Sequence, residues 1–351
     1  MTQFDPNAAA SADSGVFGLP FTEAQSALVL VPVAWEATTS YGGGTSQGPQ
    51  AIFQASKQVD LFDLEVNKPY EAGIFLRSES ELISKLNAEA KELAQPVIEA
   101  GGVSADSDPS LVRGLARVNE MGGALNEWVA GQTRELLAAG KLVGIVGGDH
   151  SVPFGAFQAI AEKHGSFGIL HFDAHSDTRN AYEGFQWSHA SIMHNALERI
   201  SGIKKLVQVG IRDVCEEEVA YCESQGTRVK SFFDRNLAMR KFKGESWDQI
   251  ARDIVESLPE KVWISFDIDG LDPRFCPNTG TPVPGGLDFH EACYVISLLG
   301  RSNKKIIGFD LNEVAPAADG QNEWDANVGA RLLYKLSAWT LASQGLVEIR
   351  D

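Results

Sequence analysis

A chain of 351 residues with 44% hydrophobic and 22% charged residues carries enough apolar material for a full core, which sets disorder aside. Its 47 acidic against 30 basic residues give a formal charge of −17, a balance that repels nucleic acid and anionic membrane. No apolar run reaches membrane-spanning length, and four cysteines without a CxxC pair speak for reduced thiols of a cytoplasmic protein.

Residues 1–26 are expected to form a mobile polar leader, since the opening MTQFDPNAAASADSG lacks both the basic start and the apolar stretch of a signal peptide. The apolar run ALVLVPV (27–33) suits a buried strand. Helical periodicity follows over 79–99 and 117–139, the second stretch ending at Gly140, with a surface loop expected around GGVSADSDPS. From Lys141 onward strand-like and helical runs alternate: LVGIV, then 155–163; FGILHF, then 188–200; KLVQVGI, then 216–225; VWISFDI, then 288–299; KIIGFDL, then 325–343. That alternation predicts a mainly parallel sheet with helices on both faces, a three-layer α/β arrangement. No linker or repeat divides the chain, so residues 27–351 read as a single domain.

Three of the expected strands end in side chains that hold metal ions. LVGIVGGDHS supplies Asp149 and His150, FGILHFDAHSD supplies Asp173, His175 and Asp177, and VWISFDIDGLDP supplies Asp267 and Asp269. Active sites of open parallel sheets form beyond the carboxyl ends of strands, so all three motifs point to one rim. Alternate residues of an extended chain share a face, which lets Asp173, His175 and Asp177 converge. Crowded carboxylates resist ionisation unless cations lie between them. An oxygen-rich set with two imidazoles and no thiolate favours Mn²⁺, with Ni²⁺ or Co²⁺ as alternatives, and six ligands suffice for two ions.

These residues resemble the ureohydrolase family of arginases and agmatinases. The matches are GGDHS (147–151), DAHSD (173–177), SFDIDGLDP (265–273), TGTPVPGGL (279–287), EVAP (313–316) and YGGGTSQGPQAI (41–52). The resemblance implies an arginase-like fold, trimers or hexamers, and two Mn²⁺ ions bridged by Asp173 and Asp267. His150 and Asp177 would complete one ion, His175 and Asp269 the other, and Asp177 would also hydrogen-bond the hydroxide held between them. It further implies that Glu313 anchors a guanidinium group and that His189 relays a proton to the departing amine. The implied reaction is hydrolysis of a guanidino C–N bond with release of urea, without an organic cofactor.

Other candidates fall outside that set. His171 shares the parity of Asp173 but lies deeper in its strand, where packing is expected; His164, His194 and His290 read as structural or solvated. The GGGTSQG loop matches neither phosphate-loop pattern and is expected to turn tightly beside the site. Trp35, Trp187 and Trp324 could wall an entrance or simply pack. The stretch RNAYEGFQWSHAS lacks the serine and asparagine with which arginases grip an amino-acid head, so agmatine leads as substrate, with guanidinobutyrate, formiminoglutamate and free guanidine as alternatives. Ala190 after His189, where agmatinases usually carry glycine, and the unusual 65–115 insertion keep those alternatives open. Two other classes, a non-catalytic metabolite-binding protein and a deacetylase-like hydrolase with one zinc, would have less use for all six ligands.

Overall fold

The computed structural model describes residues 4–104, 106–320 and 322–350. Eight strands are found among them: β1 (Leu28–Val33), β2 (Ile74–Leu76), β3 (Leu142–Gly147), β4 (Phe167–Phe172), β5 (Ile203–Val209), β6 (Val229–Phe232), β7 (Lys261–Asp267) and β8 (Lys305–Asn312). They form one sheet in the order β2-β1-β3-β8-β7-β4-β5-β6, and every pairing is parallel. The helices are α1 (Gly48–Ser56), α2 (Glu81–Glu99), α3 (Pro109–Ala138), α4 (Phe154–His164) and α5 (Ile192–Arg199), followed by α6 (Glu216–Ser224), α7 (Asp234–Phe242), α8 (Trp247–Glu256), α9 (Phe289–Arg301) and α10 (Trp324–Ser343). Among the described residues no helix is long and apolar enough to cross a membrane.

The strand sequences are apolar at both parities because both faces of the sheet are covered. In β1, Leu28 and Leu30 belong to a core shared with α1, α8, α9 and α10, whereas Val29 and Val31 belong to a second core shared with α3, α4 and α5. A half-exposed strand would alternate apolar with polar; this one cannot. A third, smaller core lies outside the sheet, where Ala94 and Val97 of α2 and Val118 of α3 enclose Phe185.

Three departures from the sequence expectation have physical causes. Val16, Phe17 and Leu19 are buried in the first core, with the Phe17 amide donating to Ser56 Oγ at 3.0 Å, so the packed body begins well before residue 27. Apolar side chains spaced irregularly in a polar segment give no periodic signal. Helix α3 begins at Pro109, its first turn capped by the Asp108 carboxylate, which shortens the loop expected there. Strands β2 and β6 and helices α1, α7 and α8 also lie outside the sequence expectation; the two strands are only three and four residues long, too short to carry a periodic signal.

Candidate metal centre

The carboxyl ends of β3, β8, β7 and β4 lie side by side in the middle of the sheet, and the acidic and histidine motifs project from them. The loop after β3 fits only because Gly148 lacks a side chain: a Cβ there would lie 1.9 Å from the Trp35 carbonyl oxygen. That close approach lets the Gly148 carbonyl accept from the Glu313 amide, tying the β8 end to the β3 end. Asp149 is occupied within its own turn, accepting from the Ser151 amide and hydroxyl.

His150 stands at the centre. Its Nδ1 lies 3.0 Å from Asp173 Oδ2, 3.3 Å from Asp267 Oδ2 and 3.4 Å from Asp177 Oδ2. Its other nitrogen, Nε2, is 2.8 Å from Ser265 Oγ, and that hydroxyl donates to Asp310 Oδ1 at 2.8 Å. With Ser265 already donating to a carboxylate, Nε2 must carry the proton it offers to Ser265. The Nδ1 lone pair is therefore aimed at three carboxylate oxygens, a repulsive contact unless a proton or a metal ion lies between. Burial disfavours the charged ring, yet those carboxylates hold the His150 pKa well above the imidazole range.

A second focus adjoins the first. His175 Nδ1 is 3.1 Å from Asp269 Oδ2 and 3.4 Å from Asp173 Oδ1, so Asp173 serves both. Two groups with ligand atoms close enough for an ion follow: His150, His171, Asp173 and Asp177, and then Asp173, His175 and Asp269. Asp267 reaches His150 through Oδ2, while its Oδ1 accepts from the Asp269 amide at 2.8 Å. Burial and the charge of Asp173 push Asp177 up to about 8, and burial with the charges of Asp269 and Asp173 pushes Asp267 well above the carboxylate range. Burial also opposes charge on His175, but Asp269 and Asp173 outweigh it and hold the ring up to about 12. Such a cluster calls for cations, and the donor types fit two divalent ions.

His171 lies beside this cluster in a supporting role. Gln208 Nε2 donates to its Nδ1 at 3.3 Å, so Nε2–H is left to donate to Asp173 Oδ2 at 2.8 Å. Both nitrogens are used, and the ring steers a carboxylate rather than offering a lone pair.

Glu313 follows β8 with φ of 62°, and Asp177 has φ of 55°. Both are non-glycine residues in the left-handed region, a costly conformation that concentrates where function demands it. Glu313 Oε1 accepts from the His150 amide at 2.8 Å; burial and the neighbouring Asp149 raise its pKa well above the usual range, which leaves a buried carboxyl in want of a cation. His189 opens a short turn before α5, capped by Ser188. Its ring centroid lies 6.4 Å from that of Tyr182, and burial, followed by the charge of His175, pushes its pKa down to about 4.

The remaining candidates are placed elsewhere. His290 is exposed, His164 is half-buried at the end of α4, and His194 stacks at 4.6 Å from Tyr221. Trp35 is core, and Trp187 packs on Phe154 at 4.9 Å, leaving only Trp324 substantially exposed. Glu36 folds the glycine-rich loop by accepting from the Gly44 and Ser46 amides, while Gly42 sits against Gly280, where a Cβ would lie 2.5 Å from its oxygen. Sequence reasoning missed Ser265, Asp310 and Gln208. Their signal was a polar residue inside an otherwise apolar strand.

A parallel sheet that gathers two foci of aspartate and histidine around a shared carboxylate defines a binuclear metal hydrolase. The chain belongs to the arginase family, whose model matches residues 26–338. It is 30% identical over 325 residues to the N(1)-aminopropylagmatine ureohydrolase of Synechocystis sp., covering 92% of this chain and 91% of that one. It is 34% identical over 207 residues, 58% of each chain, to the mitochondrial agmatinase of Gallus gallus. Among solved structures, proclavaminate amidinohydrolase from Streptomyces clavuligerus superposes with a TM-score of 0.75 at 23% identity, over 96% of this chain and 100% of that one. The chain is thus an arginase-family ureohydrolase acting on a guanidino compound.

Proposed function

We propose that the protein hydrolyses the guanidino C–N bond of agmatine, giving putrescine and urea, with two Mn²⁺ ions held by His150, Asp173, His175, Asp177, Asp267 and Asp269. The observation that carries this reading is the buried Glu313 carboxyl beside the two foci, hydrogen-bonded to the backbone of His150. When bound, the metals supply an activated water and an electrophilic clamp for the reacting centre. The chain's own residues do the rest. Glu313 pairs with the guanidinium and turns its central carbon toward the foci. Asp177 accepts a hydrogen bond from the attacking water. His189, neutral at physiological pH because of its lowered pKa, takes up a proton and passes it to the departing amine.

Several features favour a substrate without an amino-acid head. The 179–189 loop presents Arg179, Tyr182 and His189, with the Arg179 guanidinium 5.1 Å from the Tyr182 ring; its serine, Ser188, is buried as the cap of the turn at His189 while its asparagine, Asn180, is exposed, an arrangement unlike a serine and asparagine that grip together. The amine of agmatine needs no such pair. A polar active site and four unpaired cysteines fit a cytoplasmic enzyme, and assembly into trimers or hexamers accords with the family. The test is a screen for urea release from agmatine, aminopropylagmatine, guanidinobutyrate, arginine and guanidine, and for formamide release from formiminoglutamate, using Mn²⁺-loaded and Ni²⁺-loaded protein. Agmatine should give the highest kcat/KM with Mn²⁺; urea release from none of them would overturn the reading.

A further inference from the structure

The helix pair α2–α3 stands outside the sheet and contributes no residue to either metal focus. Besides packing on β1, β3 and α4 in the second core, it contacts the loop that leaves Asp177 and returns at His189. That loop makes a two-residue hairpin turn: Tyr182 and Phe185 exchange backbone hydrogen bonds, and the residues between them, Glu183 and Gly184, have φ of 52° and 90°. Left-handed conformation at both central positions is the geometry of a tight two-residue turn, a compact unit within the loop.

Helix α3 holds this unit at three points. The Asn119 side-chain amide donates to the Gly184 carbonyl at 3.2 Å and accepts from the Gln186 amide at 2.8 Å, replacing backbone partners that a free loop would lack. Phe185 is fully buried between α2 and α3. Trp187 lies against Gly122 so closely that a Cβ there would come within 2.9 Å of the Trp187 Cβ and Cδ1. On its far side the same indole meets Phe154 and the Arg199 guanidinium, 5.0 Å from the ring, so it has no room to retreat. Arg179, Tyr182 and His189 of the same loop cluster with one another.

We infer that Asn119 and Gly122 are positioning residues for the reaction: through the 179–189 loop they fix the cluster of Tyr182 and His189 relative to the metal foci and so set which guanidine fits. This inference rests on the function proposed above. It gives the α2–α3 pair a role as a buttress for substrate selection, remote from the chemistry in sequence and in contact.

The test uses the full-length Mn²⁺-loaded protein and its Asn119→Ala and Gly122→Ala variants. Metal content should remain that of the parent. The ratio of kcat/KM for agmatine to that for free guanidine should shift by about fivefold or more in each variant, because a displaced loop affects a long substrate and a short one unequally. Simple loss of folded enzyme would scale both substrates alike, so a ratio within about twofold of the parent value would overturn the inference. Amide hydrogen exchange at 184–187 supplies a second measurement that needs no substrate. It should accelerate about tenfold or more in Asn119→Ala, and unchanged exchange would also overturn the inference. If the parent hydrolyses neither guanidine, the proposed function fails and the exchange measurement alone decides the buttress. Should Asn119→Ala fail to fold, Gly122→Ala carries the kinetic ratio, since it leaves the Asn119 hydrogen bonds in place and pushes only on Trp187.

Discussion

Glu313 and His150 are joined across 163 positions of sequence by one hydrogen bond, from the His150 amide to Glu313 Oε1 at 2.8 Å. The proposed substrate anchor is thereby registered on the backbone of a proposed metal ligand. Glu313→Gln retains an oxygen for that bond but removes the charge that pairs with guanidinium. Both metals should stay, while kcat/KM falls by about a hundredfold, the order expected for a charged hydrogen bond worth roughly 1.5–3 kcal/mol. Metal analysis alongside steady-state kinetics checks it, and metal loss in this variant would assign Glu313 to the metal site instead.

Ser265 lies on the opposite side of His150 from the carboxylates. Ser265→Ala removes the acceptor that keeps the proton on Nε2, so the ring gains freedom to turn or to switch tautomer. Metal affinity should fall by about ten- to a hundredfold, the usual effect of losing the partner of a ligating histidine. Competition with a chelating dye would measure it. Unchanged affinity would mean that packing alone orients the ring.

Arginine should be a poor substrate. In the 179–189 loop Ser188 is buried as a cap and Asn180 is exposed, so the arginine carboxylate and α-ammonium lack a paired grip there, and each unpaired group costs roughly 1–3 kcal/mol. Discrimination of at least about a hundredfold in kcat/KM against agmatine follows, since each 1.4 kcal/mol is roughly tenfold. Comparable values for the two would contradict this reading of the loop.

His164 gives the fold a pH dependence separable from catalysis. Burial lowers its pKa from 6.5, with Lys261 and Lys163 adding to the effect. The folded protein therefore binds this proton more weakly than the unfolded chain. The associated stability is present above about pH 6.5 and is lost as pH falls through the depressed folded value. His164→Gln abolishes that titration, so its Tm should drop less than the parent's between about pH 7.5 and about pH 5. Equal drops would show that the ring contributes nothing.

The gathering of the acidic and histidine motifs on one rim of the sheet was legible in the sequence because each motif is local. GGDHS, DAHSD and DIDG each place their ligands within a few residues of a strand end, and a parallel sheet aligns strand ends by construction. Helices with long apolar periodicity, such as α2 and α10, were legible for the same reason. Ser265 and Asp310 were not, because their role depends on β7 and β8 lying next to each other in the sheet, which brings them together from 45 positions apart. Trp187 was legible as a large aromatic near the site, yet its actual partner, Gly122, is marked by having no side chain. Val16, Phe17 and Leu19 escaped notice because three buried residues in a polar stretch carry no period.

The position of β8 between β3 and β7 also dictates an order of assembly. Of the strands, it is the last in sequence yet occupies the middle of the sheet, so while the chain is being synthesised the earlier strands can form only two separate part-sheets, β2-β1-β3 and β7-β4-β5-β6. Each part-sheet then presents an unpaired apolar edge, the kind that pairs with other chains. His150 belongs to one part and Asp173, Asp177 and Asp267 to the other. Until Lys305–Asn312 slides between them, the ligands of the first focus stand on different bodies, and nascent protein in that state is both unable to close its metal centre and exposed to aggregation.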